Sequence, residues 1–147
     1  MPTLQLKISR PVPDAVHRTL AHELTRLAAT VLGKREEVTA VMIEFLLPVQ
    51  WFIEGRTVNR ATAWLEISIT AGTNTPAQKA AFVEQAYALL QRHLAGDRPL
   101  AEASYVIVRE LPAGDWGYGG RTQAARQRAQ SAASSEGVEQ GAVSLQG

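Results

Sequence analysis

Residues 65–78 read LEISITAGTNTPAQ, and they are the clearest guide to the fold. Its first five residues alternate between apolar and polar, which is the period of a strand with one buried face. Thr75 and Gln78 then have the spacing of a capping box, and Pro76 suits the first position of a helix. A strand followed by a capped helix predicts the first two elements of a β-α-β unit.

The same arrangement occurs twice along the chain. In the first copy, a strand at residues 4–8 precedes a helical apolar stripe that ends before Gly33, and a second strand follows at residues 41–45. The second copy repeats this order between residues 65 and 108. The sequence therefore predicts an α/β (α+β) fold, in which two tandem β-α-β units form a four-stranded, mainly parallel sheet with two helices on one face.

The length of 147 residues favours a single domain, which we assign to residues 2–120. The first β-α-β unit covers residues 2–58 and the second covers residues 61–120. Residues 121–147 begin with a short helix-like segment and continue with small and polar residues, so a flexible C-terminal tail is predicted. The sheet face opposite the helices lacks cover, and self-association is the simplest way to supply it.

Composition excludes several classes of function. The net charge of +1 lacks the basic excess of a nucleic-acid-binding protein, and the absence of cysteine excludes thiolate metal sites and cysteine nucleophiles. His17 and His22 are five residues apart and lie on different helical faces, so we predict no metal site. No apolar run is long enough to span a membrane, and the amino terminus lacks a secretory signal pattern. A cytoplasmic protein is predicted.

Pro2 is the residue that points most directly to a chemistry. Removal of Met1 would leave a secondary amine at the head of the first strand, held rigidly at one end of the sheet. An α-amino group has a reference pKa of about 7.7–8.0, and burial among apolar groups or a nearby cation lowers that pKa. Such an amine can act as a general base near neutral pH. The alternative, judged from Pro2 alone, is that this proline accompanies the removal of Met1 and has no catalytic role.

A glycine-rich hairpin, DWGYGG, occupies residues 115–120 near the end of the second unit. With the terminal Pro2 and the duplicated β-α-β unit, this hairpin makes residues 2–120 resemble the tautomerase superfamily, which includes the 4-oxalocrotonate tautomerase and macrophage migration inhibitory factor types. The resemblance implies a homotrimer of tandem units that needs no cofactor. It also implies that Pro2 is the catalytic base or acid and that the substrate is a small carboxylic acid.

The resemblance implies further site residues. Tyr105 would be a second catalytic residue, because its phenol can donate a hydrogen bond to a developing enolate oxygen. Lys34 matches a loop lysine that pairs with the substrate carboxylate. Trp51 and Trp116 match a hydrophobic wall that would keep the amine dry, and Tyr118 is a weaker pocket candidate. For each residue the alternative is an ordinary structural role at a helix end, in a strand or in a hairpin.

The chain departs from the superfamily pattern at the residues that bind carboxylate. The 4-oxalocrotonate tautomerase type has two such arginines. Val12 stands at the position of the first. At the position of the second stand Ala40 in the first half of this chain and Tyr105 in the second half. Residues 69–74 also lack the arginine pair of the dehalogenase and decarboxylase types. Arg109 shares a strand face with Tyr105 and is our predicted substitute. Further substitutes are available in Arg56 and Arg60.

These observations predict a cofactor-independent tautomerase or isomerase that moves a proton on a 2-oxo or 2-hydroxydienoic acid, with Pro2 as general base. One alternative is a hydratase, dehalogenase or decarboxylase type of enzyme that uses protonated Pro2 and a carboxylate that activates water. The other alternative is a non-catalytic protein that keeps only the fold, because fold alone does not imply function.

Overall fold

The computed structural model describes residues 2–144, and the side chains of residues 2–137. Its strands are β1 (Thr3–Ile8), β2 (Ala40–Phe45), β3 (Phe52–Ile53), β4 (Arg56–Thr57), β5 (Ala63–Thr70), β6 (Tyr105–Leu111), β7 (Gly117–Tyr118) and β8 (Arg121–Thr122). Its helices are α1 (Asp14–Leu32), α2 (Pro76–Leu94) and α3 (Gln123–Ser144), and single 3-10 turns cover Glu36–Val38 and Pro48–Gln50. The chain divides into two structural units, Met1–Glu110 and Leu111–Gly147.

The first unit contains a four-stranded sheet in the order β2-β1-β5-β6. Strands β1 and β2 run parallel, as expected for two strands joined by the crossover helix α1. Strands β1 and β5 run antiparallel, with Thr3 opposite Ser68 and Ile8 opposite Ala63. The prediction of two β-α-β units in one four-stranded sheet is confirmed, and the sheet is mixed because the first strands of the two units point in opposite directions.

The core lies between the sheet and helices α1 and α2. Alternate residues of β5 are fully buried, which confirms the strand predicted from the alternation of apolar and polar residues. The apolar stripes of both helices pack into the same cluster, including Leu20 and Leu24 of α1 and Phe82 and Leu90 of α2. The opposite face of the sheet carries half-buried and exposed side chains, of which Met42 is an example.

The helix ends confirm the signals in the sequence. Gly33 takes the left-handed conformation with φ 69°, and its amide donates to the Ala29 carbonyl, which ends α1 without the strain a side chain would add. At the start of α2, the Gln78 amide donates to Thr75 Oγ1 over 3.1 Å, and the Thr75 amide donates to Gln78 Oε1 over 2.9 Å. Both halves of the predicted capping box are therefore formed.

The second unit differs from the sequence expectation. Residues 121–147 are predicted as a flexible tail, but Gln123–Ser144 form α3, and residues 145–147 lie outside the described part of the chain. The Gln123 amide donates to the Trp116 carbonyl, so the hairpin β7–β8 supplies a partner to the first turn of α3. Alanine, glutamine and arginine, which favour helix, then dominate the early turns. The hairpin, which the sequence placed with residues 2–120, belongs to this unit.

Candidate active site

Pro2 lies directly before β1, at one end of the sheet. Its side chain is less than 2% exposed, and its carbonyl accepts a hydrogen bond from the Ala40 amide over 3.3 Å. Because side chains alternate along a strand, Pro2 and the buried Leu4 lie on the same face, towards the helices. The residue predicted to carry the chemistry is therefore anchored in the fold and shielded from solvent.

Lys34 lies at the same end of the sheet as Pro2. The antiparallel pairing of β1 with β5 puts the end of β5 at Thr70 beside the start of β1, and Thr73 follows three residues later. Lys34 Nζ donates to Thr73 Oγ1 over 2.9 Å, so this contact places the ammonium in the loop at that end. Burial lowers the pKa of Lys34, and the charge of Glu110 partly offsets this effect. The structure thus places two predicted site residues, a proline and a half-buried lysine, at the same end of the sheet.

The loop between β5 and α2 holds this end of the sheet together, and no local sequence signal predicts its contacts. The Thr73 hydroxyl donates to the Thr70 carbonyl over 2.6 Å while it accepts from Lys34. Asn74 Nδ2 donates to the Leu32 carbonyl over 2.9 Å, at the last residue of α1. The capping box near residue 75 predicts the start of a helix from neighbouring residues. The carbonyl that Asn74 contacts is 42 residues away in the chain, so no local pattern predicts that contact.

We expect Lys34→Met to change how stability depends on pH. The pKa of Lys34 in the folded protein is lower than its ordinary value of 10.5, so the unfolded chain binds this proton more tightly. The contribution of Lys34 to the unfolding free energy is therefore least favourable at neutral pH and rises as pH approaches 10.5. The wild type should gain stability relative to Lys34→Met over this window in urea unfolding.

The control for this measurement is Arg35→Met, because a guanidinium keeps its charge throughout that range of pH. Its difference from the wild type in unfolding free energy should stay constant as pH rises. A constant difference for Lys34→Met as well would contradict the prediction.

Tyr105 lies at the opposite end of the sheet from Pro2. Ser104 Oγ accepts from the Ala63 amide over 3.1 Å, and Ala63 is the partner of Ile8 at the far end of β1. Thr3 and Ile8 are five strand steps apart, or about 17 Å. Within one copy of the chain, the two predicted catalytic residues, Pro2 and Tyr105, therefore lie at opposite ends of the sheet. Tyr105 is 60% exposed.

Two cavities border Tyr105. One, of about 420 Å³, is lined by aromatic residues that include Trp51 and Trp64. The other, of about 620 Å³, is lined by the residues between β3 and β5 and by the segment before β6, with Arg56 and Arg60 among them. The structure thus brings Trp51 and Tyr105 together, as parts of one wall.

Arg109 lies on the sheet face away from the helices, as its spacing from Tyr105 predicts. Val106 and Val108 pack against the core, so the alternation turns Tyr105 and Arg109 the other way. Arg109 Nη1 is 3.6 Å from Glu66 Oε1, and the Arg109 side chain is 61% exposed. An arginine already paired with a carboxylate is a weaker candidate for binding a second carboxylate, from a substrate.

Trp116 and Tyr118 belong to the second unit. Arg126 stacks on the Tyr118 ring, 3.7 Å from its centroid, and its Nη2 donates to the Tyr118 carbonyl over 2.8 Å. Gly117 has no room for a side chain, because a Cβ there would lie 1.9 Å from the Arg121 carbonyl oxygen. These contacts show a structural role for the hairpin, and substrate binding by Trp116 and Tyr118 stays a prediction.

Within the described part of the chain, no three carboxylate, imidazole or thiol side chains cluster as a metal site would require. None of the helices in residues 2–144 combines the length and apolar character needed to cross a bilayer.

Solved structures provide the comparison with known proteins. No protein-family profile and no curated protein sequence matches the chain. A fused 4-OT, solved as a wild-type asymmetric trimer, is 24% identical with a TM-score of 0.74, and the match covers 84% of this chain and 97% of the other. The chain has the fold of the tautomerase superfamily.

Two further structures with the tautomerase fold show how widely the likeness extends. A macrophage migration inhibitory factor-like protein from Entamoeba histolytica is 20% identical with a TM-score of 0.64, over 82% of this chain and 97% of the other. Pt0534 inactivated by 2-oxo-3-pentynoate is 17% identical with a TM-score of 0.70, over 84% of this chain and 98% of the other. At these identities the likeness establishes the tautomerase fold.

Proposed function

We propose that this protein is a cofactor-independent tautomerase that moves a proton on a 2-oxo or 2-hydroxydienoic acid, with the free amine of Pro2 as general base. The observation that carries the proposal is the burial of Pro2 at the sheet end that also holds Lys34. A tautomerase fold and a structural neighbour inactivated by a 2-oxo compound support the same class of reaction. Exclusion of water from the amine lowers its pKa and favours the neutral base.

In the proposed reaction, the Pro2 nitrogen takes a proton from the carbon next to the substrate carbonyl. The electrons of that C–H bond form a carbon–carbon double bond, and the carbonyl oxygen gains negative charge. The Tyr105 phenol donates a hydrogen bond to this oxyanion, and the Lys34 ammonium pairs with the carboxylate. Protonated Pro2 returns its proton to the oxygen, which yields the enol and restores the free amine.

This reaction requires more than one copy of the chain, because Pro2 and Tyr105 lie about 17 Å apart along the sheet. We propose a homotrimer in which the Tyr105 end of one copy meets the Pro2 end of another. The uncovered sheet face, where Met42 is 51% exposed, is suited to such contacts. One structural neighbour is an asymmetric trimer of a fused 4-OT.

The test compares two forms of the protein that differ only at the amino terminus. One begins at Pro2, as verified by intact mass, and the other carries additional residues before Pro2. The proline ring stays in place in both, so a loss of activity reports on the amine alone. We expect the first form to convert phenylpyruvate or 2-hydroxymuconate and the extended form to be inactive. Equal steady-state rates would refute the role of the amine.

A second candidate function is hydration, dehalogenation or decarboxylation by protonated Pro2. It needs a carboxylate that activates water, and Glu110 lies near Lys34 at this end of the sheet. Glu110 is paired with Lys79 over 3.4 Å. NMR titration of the Pro2 nitrogen separates the two functions. A pKa well above neutral supports this second candidate, and a pKa near or below neutral supports the tautomerase.

A non-catalytic protein with the same fold is the remaining alternative from the sequence. Retention of Met1 on the mature protein would block the amine and leave only this alternative. The cytoplasmic location stays a prediction.

A further inference from the structure

The cavity of about 620 Å³ beside Tyr105 carries two arginines that are not part of the chemistry proposed above. Arg56 belongs to β4 and pairs with Ile53 across the β3–β4 hairpin. The turn of this hairpin, Glu54–Gly55, has positive φ at both residues, which suits a two-residue hairpin turn. The Val58 amide also donates to the Trp51 carbonyl over 3.0 Å. The hairpin therefore fixes the backbone that carries Arg56.

Arg60 approaches the same cavity from the segment before β5. Its carbonyl accepts from Thr62 Oγ1 over 3.1 Å, and the neighbouring Asn59 carbonyl accepts from Arg98 Nη2 over 2.8 Å. The Arg60 residue is half-buried. Its backbone is thus held from two sides, and the residue lines the cavity.

Half of the arginines in the described part of the chain have a carboxylate or carbonyl partner, and Arg56 and Arg60 belong to the other half. Four arginines have a carboxylate within 4 Å, namely Arg26, Arg35, Arg92 and Arg109. Within residues 2–137, Arg56 and Arg60 have neither such a carboxylate nor a hydrogen-bond acceptor for their side chains. Glu54 and Glu102 also line the cavity, and both are exposed, as Arg56 is. Two guanidiniums and the Tyr105 phenol are therefore available to a ligand with several acceptor oxygens.

We propose that Arg56 and Arg60 of one copy, together with Lys34 of the neighbouring copy in the proposed trimer, bind the carboxylate of the substrate, and that Tyr105 binds its adjacent carbonyl oxygen. The ligand class is a 2-oxo acid, whose three oxygens lie on neighbouring carbons. A guanidinium binds a carboxylate through two parallel hydrogen bonds, which fixes both position and orientation. These arginines replace the carboxylate-binding arginines that are missing at Val12 and Ala40. The inference rests on the proposed function, because it assigns the specificity of that site.

The experiment measures binding in a protein whose turnover of the ligand is slowed by the loss of Pro2. Phenylpyruvate is titrated into the full-length Pro2→Ala protein, and the dissociation constant is obtained from NMR shifts. The same titration is repeated after adding Arg56→Gln and Arg60→Gln together. The control adds Arg18→Gln and Arg92→Gln, which remove the same charge from the surfaces of α1 and α2, outside the cavity.

We expect the cavity variant to bind phenylpyruvate at least about tenfold more weakly than the Pro2→Ala protein, because charge-assisted hydrogen bonds are lost. The control variant should stay within about twofold of it, since long-range charge effects are screened by salt. Equal dissociation constants for the cavity and control variants would overturn the inference. The dissociation constants do not depend on catalysis. An inactive wild type would therefore refute the proposed function, while the comparison of the cavity and control variants would still decide this inference.

Discussion

Replacement of Pro2 by alanine is expected to lower kcat/KM by about two to four orders of magnitude, which is the usual contribution of a positioned general base. Alanine leaves a primary amine without the ring that holds the nitrogen in the buried position before β1. The proton-accepting atom is then less fixed relative to the substrate carbon, and small displacements of a reacting group are costly. Steady-state kinetics with phenylpyruvate and 2-hydroxymuconate measure the effect.

The matched control is Pro11→Ala, which makes the same chemical change in the exposed loop after β1. Its kcat/KM should stay within about twofold of the wild type, since surface changes away from a site have small effects. Intact mass must show that both variants and the wild type have lost Met1. If Pro2→Ala turns over both substrates as fast as the wild type does, Pro2 is not the base.

Replacement of Phe82 by alanine is expected to reduce the free energy of unfolding by about 3–5 kcal/mol. Phe82 is fully buried on α2 and belongs to the cluster that joins both helices to the sheet. Truncation removes apolar contacts and leaves a cavity that close-packed neighbours fill only in part. At about 2–4 °C per kcal/mol, the unfolding temperature should fall by roughly 10 °C.

Val83→Ala provides the control, because Val83 follows Phe82 on the same helix and is 38% exposed. It also removes apolar atoms from α2, but at a position in contact with solvent, so the loss should be below about 1 kcal/mol. Urea unfolding monitored by circular dichroism measures both variants. Similar losses for the two positions would show that the core of this fold does not depend on Phe82.

The helices and the main strands were predictable because their signals are local. The stripe through Leu20 and Leu24 and the stripe through Phe82 and Leu90 follow the helical period, and all four residues are buried. Thr75 and Gln78 form their capping box with each other, only three residues apart. A pattern of this kind contains both partners of the interaction, so it needs no knowledge of the rest of the fold.

The extent of α3 was not predicted, because residues 121–147 lack an apolar stripe. The first turn of this helix depends on a hydrogen bond from the Gln123 amide to the Trp116 carbonyl, across the hairpin. That contact requires the close approach of the two hairpin backbones that Gly117 permits. Without knowledge of this contact with the hairpin, the sequence of residues 121–147 favours only a short helix followed by a tail.

The sequence alone determined the two β-α-β units, the caps of their helices and the position of Pro2 before the first strand, because each depends on residues close together in the chain. The tertiary structure was needed to show that β1 runs antiparallel to β5, which brings Thr73 to the Pro2 end, where it contacts Lys34, and separates Tyr105 from that end. Strand direction depends on contacts between residues about 60 positions apart, such as Thr3 with Ser68. The periodicity of each strand is the same whichever way its partner runs, so no local pattern specifies which loops meet at a common edge.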